Sequence, residues 1–442
     1  MINTTRRIHS WLAPVQTFRL ELFRSSIGVF LLRIVSLAMA FSSSIILARG
    51  LQPDGYGAYS FIVSLANSLA LIAFMGFPEL IVREAARYEL EKNWALISGL
   101  LKQSRGWALC SGLLLASIVF LVCYNFSNTT ENNRFQLMII AIPIFLIAPQ
   151  LAITQSALRG LRKIVWGNIA NTVIQPLITF CILIPLFFFG KIIPETALVA
   201  QISGLLVAYL IAAYIFRQLT SKNLGEVRAQ YDTSKWLSTL PSFAGIAALS
   251  FLNVEFISIF LGLVGSNQDV GYYRAAVNLA LVVALPLSII ESAVPPYVTR
   301  LYFSHQLDKL ERLAQIVSIV SFVLSLVPAV IILCFAKELI LLVYGVEYLP
   351  AHTPLIIIVV GYVGVSLVGL SMRLLVSTNF QSAAFRISAI GSLLTLVLCC
   401  IAIPYFGVIG AALALGGGKL VRASLFVVEA RRKLGIRTSL IY

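Results

Sequence analysis

Residues 313–335 read Leu-Ala-Gln-Ile-Val-Ser-Ile-Val-Ser-Phe-Val-Leu-Ser-Leu-Val-Pro-Ala-Val-Ile-Ile-Leu-Cys-Phe, and no charge interrupts the run between Arg312 and Lys337. A helix rises 1.5 Å per residue, so about 20 apolar residues cross the hydrocarbon core of a bilayer. This stretch is long enough and apolar enough to do so. Outward from it, runs of the same kind predict spans over 28–49, 57–80, 106–125, 135–158, 164–189, 196–216, 240–264, 272–299, 353–377, 385–405 and 408–429. The expected fold class is therefore all-α: a polytopic membrane protein with about twelve transmembrane helices. The last two spans are separated by little more than Pro404 to Gly407.

Composition agrees. Of 442 residues, 59% are hydrophobic and 12% charged, whereas soluble domains average roughly 25% charged. The net charge of +15 does not describe a nucleic-acid binder, because the cations sit in short clusters between apolar runs. Those clusters also give an orientation. The leading segment and the segments around Arg83–Arg105, Arg159–Lys163, Arg217–Lys235, Arg300–Arg312, Arg386 and Arg422–Arg437 hold 25 of the 33 Lys and Arg. The alternate loops hold four, Arg134, Lys191, Arg274 and Lys337. Cytoplasmic loops carry the positive excess, so both termini are expected in the cytoplasm. The first apolar run begins near Ile27, after Arg6, Arg7, Arg19 and Arg24, so no cleaved leader is expected.

The expected organisation is a cytoplasmic N-terminal segment (1–27), a six-helix bundle (28–217), a cytoplasmic linker (218–238), a second six-helix bundle (239–430) and a cytoplasmic tail (431–442). The two longest inner segments, near 81–105 and 217–239, each place a Trp amid mixed charge (Trp94, Trp236) and are read as short amphipathic helices at the membrane surface. The two bundles look like copies. Gly57 and Tyr59 align with Gly271 and Tyr273 at an offset of 214; Pro78 aligns with Pro295, and Gly190 with Gly407, at 217. Six helices precede the second copy, and six is even, so the copies run parallel, related by an axis along the membrane normal around a central cavity.

The stretch Ala48-Arg49-Gly50-Leu51-Gln52-Pro53-Asp54-Gly55-Tyr56-Gly57-Ala58-Tyr59, followed by an apolar span and Gly76-Phe77-Pro78, resembles the start of the polysaccharide-transport flippases. These include the Wzx-type O-antigen flippases, in the superfamily that also holds MATE-like multidrug exporters and lipid II flippases. The Asp269–Tyr273 copy, the Val343–Tyr348 loop and the Phe406–Ala412 turn are in the same style. The resemblance implies a flippase that moves a polyprenyl-diphosphate-linked oligosaccharide to the outer leaflet by alternating access. It implies a place in a bacterial inner membrane among membrane lipids, with a polysaccharide polymerase and chain-length regulator as partners. No bound cofactor is implied; a proton or sodium gradient is the candidate driving force.

Ionisable residues within the spans single out the site. A charge at mid-membrane costs roughly 2.5–3.5 kcal/mol on insertion scales, so it needs protein or water beside it. Arg33 shares a helical face with Ser36, Ala40 and Ser43, and Arg373 with Ser366, Gly369 and Ser377. Lys419 follows three glycines and lies one turn from Arg422. Arg33, Arg373, Lys419 and Arg422 are the candidate diphosphate-binding cations, with snorkelling to the interface as the competing account. Arg49 and Arg274 read as interface anchors. Glu255 and Glu291 are candidate proton-coupling or ion-pairing groups. The polar stripes Asn168, Asn171, Gln175, Thr179 and Ser388, Ser392, Thr395 suit either sugar hydroxyls or helix–helix hydrogen bonds. A MATE-like drug or cation exporter would want an acidic or aromatic cavity, against this mixed set. A membrane polysaccharide polymerase or ligase would want a large outer loop, and no loop here is that long.

Overall fold

The computed structural model describes residues 2–74, 76–127, 133–224, 227–378 and 380–436; within these, the side chains of 2–34, 126, 127, 133, 222–224, 242, 246–254, 292, 293 and 296 are outside the described set. The helices are, in order, α1 (Ile2–Phe74), α2 (Phe77–Leu90), α3 (Trp94–Ser127), α4 (Asn133–Gly160), α5 (Ile164–Ile169), α6 (Gln175–Phe188), α7 (Pro194–Leu224), α8 (Thr233–Val254), α9 (Phe256–Val264), α10 (Asn267–Ala293), α11 (Pro295–Phe303), α12 (Leu307–Cys334), α13 (Ala336–Val343), α14 (His352–Val368), α15 (Ser371–Ser377) and α16 (Gln381–Leu434). No strand occurs among the described residues. Nine helical stretches among them are long and apolar enough to cross a membrane, by length and composition. Their outward sides stay apolar: Leu113, Leu114, Leu121 and Tyr124 on α3 and Ile316, Val323 and Val327 on α12 are all exposed. Contiguous apolar surface of this extent needs lipid as its neighbour.

Two of these stretches reverse direction. In α1, Gln52 is non-helical (φ 58°, ψ 175°), and the Ser44 and Tyr56 hydroxyls lie 2.9 Å apart. Twelve residues of straight helix would separate them by about 18 Å. Pro53 disfavours helical geometry at Gln52 and suits the start of the next arm. In α16 the reversal falls at Gly407 (φ 53°, ψ −125°), in a region that residues with a Cβ rarely enter. The arms then run antiparallel, with Thr395 against Gly418 and the Arg422 stem against Gly391.

Five spans expected to be continuous are interrupted: 57–80 between α1 and α2 beside Gly76 (φ 83°), 272–299 at Val294 between α10 and α11, and three more. Between α5 and α6, residues Ala170–Ile174 form a π-helix, where the Gln175 N–H bonds to the Ala170 carbonyl five residues back; Pro176, lacking an N–H, cannot support the ordinary ladder. Glu255 separates α8 from α9, and Gly369 (φ 65°, ψ −131°) separates α14 from α15. The surface-helix reading of the two tryptophans is also corrected. Trp94 begins the long α3. Trp236 is buried, and its indole N–H donates to the Tyr88 hydroxyl at 3.0 Å. Burial raises the pKa of that hydroxyl above its ordinary value while the indole bond opposes the shift.

The internal repeat is visible as reciprocal contact. A Cβ on Gly57 would collide with the Asn267 carbonyl, and a Cβ on Gly271 with the Pro53 carbonyl. Arg134 Nη1 donates to the Gly262 carbonyl at 2.6 Å, and the Tyr348 hydroxyl donates to the Ala48 carbonyl at 2.9 Å. In both pairs each residue's counterpart lies 214 positions on (53 and 267, 57 and 271, 48 and 262, 134 and 348), the signature of a two-fold interface. Two helix ends repeat as well. Lys92 and His305 both have left-handed φ (54°), each followed by a bond back across five residues, Asn93 to Tyr88 at 2.9 Å and Gln306 to Leu301 at 3.0 Å. Further on, Gly190 and Gly407, 217 apart, both have positive φ. The Pro78–Pro295 match is displaced: the turns on either side keep 213 or 214, while the kinks themselves, at the starts of α2 and α11, sit about one helical turn out of register.

The two copies share one apolar core at the end carrying Gln52, where Tyr56, Phe61, Val270, Tyr273 and Tyr348 pack together. At the opposite, basic end the core divides. One part holds Phe77, Tyr88, Leu100 and Trp236; the others hold Val298, Leu310, Leu374 and Phe426. The copies therefore share a core at the sparsely charged end, while at the basic end the core divides and only α8 of the second copy packs into the first copy's part.

Candidate functional site

In the basic half of the second copy, α10, α14, α15 and α16 enclose a cavity of about 240 Å³. Ser288 and Glu291 enter it from α10, Tyr362 and Ser366 from α14, and Lys419 and Arg422 from α16. Close helix approach builds it. A Cβ at Gly361 would lie 2.7 Å from the Gly416 Cα, so α14 and α16 meet backbone to backbone there. The Gly416–Gly418 run, one of the features that marked Lys419 in the sequence, is used for that approach.

Each cation is held in a different way. Lys419 Nζ donates to the Tyr362 hydroxyl at 3.1 Å and lies 4.2 Å from that ring's centroid, within cation–π range. Arg422 lays its stem across Gly391, where a Cβ would lie 2.7 Å from Cγ, and stands within electrostatic reach of Glu291. The break at Gly369 turns α15 so that Arg373 Nη2 comes to 3.7 Å from Glu291 Oε2. Among the described residues, Arg373 and Arg422 thus flank Glu291, and Lys419 lines the same cavity. The Arg33 side chain lies outside the described residues.

Glu255 does not belong to this group. Its Oε2 accepts from Arg274 Nη2 at 2.7 Å, and Arg274 also donates to Ser64 of the first copy. One turn along α10, Asn278 donates to Ser44 Oγ at 2.8 Å and to the Tyr56 hydroxyl at 3.0 Å. Arg49 donates to the carbonyls of Val343, at 2.9 Å, and Leu342. Arg274 and Arg49, expected to anchor the interface with lipid, instead tie the two copies together. A signal for this was present in the sequence: Asn267, Gly271, Arg274 and Asn278 recur at steps of four, three and four, one face of a helix. Tyr362 was missed because nothing local distinguishes it from other apolar-span aromatics. The polar stripes are partly self-satisfied: Asn168 Nδ2 donates to the Ile164 carbonyl at 3.0 Å, and Thr395 Oγ1 to the Gly391 carbonyl at 2.9 Å.

Comparison with known proteins agrees with this architecture. A family model described as MatE matches residues 241–401. The "Probable low-salt glycan biosynthesis flippase Agl15" of Haloferax volcanii is 28% identical over 201 residues, 45% of this chain; the match spans only 41% of that relative's length. An inward-facing multidrug resistance MATE family transporter of the MOP superfamily superposes with a TM-score of 0.74, at 15% identity over 92% of this chain and 98% of its own. The lipid II flippase MurJ, in an inward closed conformation, gives 0.67, at 16% identity over 92% and 87%. The fold is that of the MOP superfamily. A model described as "Polysaccharide biosynthesis protein" matches residues 22–302, more than half of the sequence, and the chain belongs to that family.

Proposed function

We propose that the chain is a flippase that carries a polyprenyl-diphosphate-linked oligosaccharide, an O-antigen or other surface-polysaccharide repeat unit, from the cytoplasmic to the outer leaflet of a bacterial inner membrane. The observation that carries this reading is the cavity lined by Lys419, Arg422 and Glu291, with Arg373 beside it against Glu291. Cations in a membrane interior are costly and call for an anionic guest, and a diphosphate supplies one while its polyprenyl tail stays in lipid. The cavity lies toward the basic end, which the charge distribution assigns to the cytoplasm, where the apolar core is divided into separate clusters. On that orientation this is the loading state of an alternating-access cycle. Glu255, paired with Arg274 at the joined end, is a candidate for coupling to a proton or sodium gradient. The glycan is then passed to a polymerase and chain-length regulator.

Deleting the gene tests the reading. Lipid-linked oligosaccharide should accumulate on the cytoplasmic face and be cleared by the wild-type gene but not by one carrying Arg373→Ala and Lys419→Ala. Full clearance by that variant removes the electrostatic basis of the proposal. Orientation is tested separately: alkaline phosphatase fused after Gly190 should be active and after Lys433 inactive, and the reverse pattern inverts the topology.

A further inference from the structure

Two of the ion pairs within the spans, among the described residues, differ in kind. Glu255 and Arg274 are in close contact at 2.7 Å, both largely buried (18% and 22% exposed), at the seam between the copies. Glu291 and Arg373 are 3.7 Å apart, more exposed (24% and 41%), and beside the cavity. The first is a short, charge-assisted hydrogen bond; the second is a loose electrostatic contact. Arg373 Nε, like Arg274 Nε in the tighter pair, is buried without a hydrogen-bond partner. A buried guanidinium donor without an acceptor is costly, and at Arg373 it lies beside the cavity, where a guest can supply one.

We propose that Glu291 is the resident anion of the cavity, which an incoming phosphate group displaces. The proposal rests on the flippase reading above and adds a role for the carboxylate. In the empty carrier, Glu291 partly neutralises Arg373 and Arg422, which lowers the cost of three cations in a low-dielectric site. Substrate entry is then an exchange. The phosphate oxygens take over the arginines and offer an acceptor to Arg373 Nε, while Glu291 is left with fewer cationic partners. Return of the arginines to Glu291 favours release on the other side. The carboxylate thus weakens binding and speeds turnover, a trade that a transporter needs and a storage site does not.

The test uses the purified full-length chain in lipid nanodiscs with citronellyl-diphospho-N-acetylglucosamine as the probe. Removing one negative charge beside the binding groups should strengthen anion binding by about tenfold, as expected for unit charges about 6 Å apart at an effective dielectric near 40, between the protein and water limits for this half-exposed site. E291Q is therefore expected to bind the probe about tenfold tighter than wild type and to export glycan more slowly, while E291D, which keeps the charge, should recover part of the wild-type behaviour in both. Thermal unfolding of each variant controls for folding. If a folded E291Q binds the probe equally or more weakly, Glu291 serves only to orient Arg373; if it binds more tightly but exports as fast, release is not what it assists. Either result overturns the proposal. The K419A/R422A variant separates this from failure of the site itself: unchanged probe binding there refutes the flippase cavity, whatever E291Q does.

Discussion

A buried cation is informative only through what surrounds it. Lys419 has an aromatic hydroxyl and ring as partners and no carboxylate within ion-pairing distance among the described residues. A tyrosine steadies an ammonium without neutralising it, so the charge stays available to a guest. Lys419→Ala should abolish glycan export at a normal protein level, and Lys419→Arg should retain part of it. Tyr362→Phe keeps the ring but removes the hydroxyl, and should reduce export less than Lys419→Ala does. If Tyr362→Phe is the more damaging change, the tyrosine acts directly and not by placing the lysine. The Glu255–Arg274 pair makes a contrasting prediction. Breaking a buried pair from one side leaves an uncompensated charge and costs about 3–5 kcal/mol, whereas replacing both partners with apolar residues costs far less. Glu255→Leu or Arg274→Leu alone should lower the unfolding temperature in detergent more than the double variant does. Additive losses would mean that the pair is not coupled.

Among the elements, the one that departs most from its hydropathy is α8. Its first turns carry Trp236 and Leu240 into the core of the first copy beside Tyr88 and Leu100, although the helix opens the second copy. With α9 packing near the joined end, the break at Glu255 falls between a segment held by one copy and a segment held at the seam. Trp236→Ala removes one of the largest fully buried side chains and should cost about 3–5 kcal/mol, the usual range for large aromatic truncations. Trp236→Phe should cost less, losing mainly the bond to Tyr88. Equal stability of the alanine variant and wild type, measured by thermal unfolding, would show that the linker is not docked on the first copy. The sequence revealed the helices because twenty apolar residues leave no other structure in lipid, and it revealed the Gly407 turn because glycine was placed where φ is positive. It did not reveal the breaks at Glu255 and Gly369, since a single non-helical residue barely changes the hydropathy of the window around it. Nor did it reveal that Trp236 is interior, because a Trp amid mixed charge suits an interface as well as a core. Of the candidate site, Lys419, Arg422, Arg373 and Glu291 were readable as charges out of place. Their grouping was not, because it depends on α10, α15 and α16 meeting in space.

At the scale of the whole molecule, the seam between the copies is built to separate. Apart from the Glu255–Arg274–Ser64 bridge, its charged donors reach neutral acceptors: Arg134 and Arg49 bond to backbone carbonyls, and Tyr348 does the same. The neutral Tyr348 bond contributes about 0.5–1.5 kcal/mol in net terms and those from the guanidinium groups about 1.5–3 kcal/mol each, so the end can close firmly without becoming permanent. Its closest approach depends on Gly57 and Gly271, each facing a carbonyl of the other copy. Because the contact is reciprocal, the two glycines should be functionally equivalent although they lie 214 residues apart. Gly57→Leu and Gly271→Leu should each wedge the joined end open. The reporter is Ser44→Cys, which is buried in the closed seam, labelled by a membrane-impermeant maleimide supplied from the side that Gln52 faces. Each leucine variant should raise labelling several-fold over the glycine parent, and Arg134→Ala should raise it less, because it removes hydrogen bonds without inserting volume. If only one of the two leucines opens the end, the reciprocity seen in the carbonyl contacts is not functional, and the seam is a one-sided hinge and not a two-fold gate.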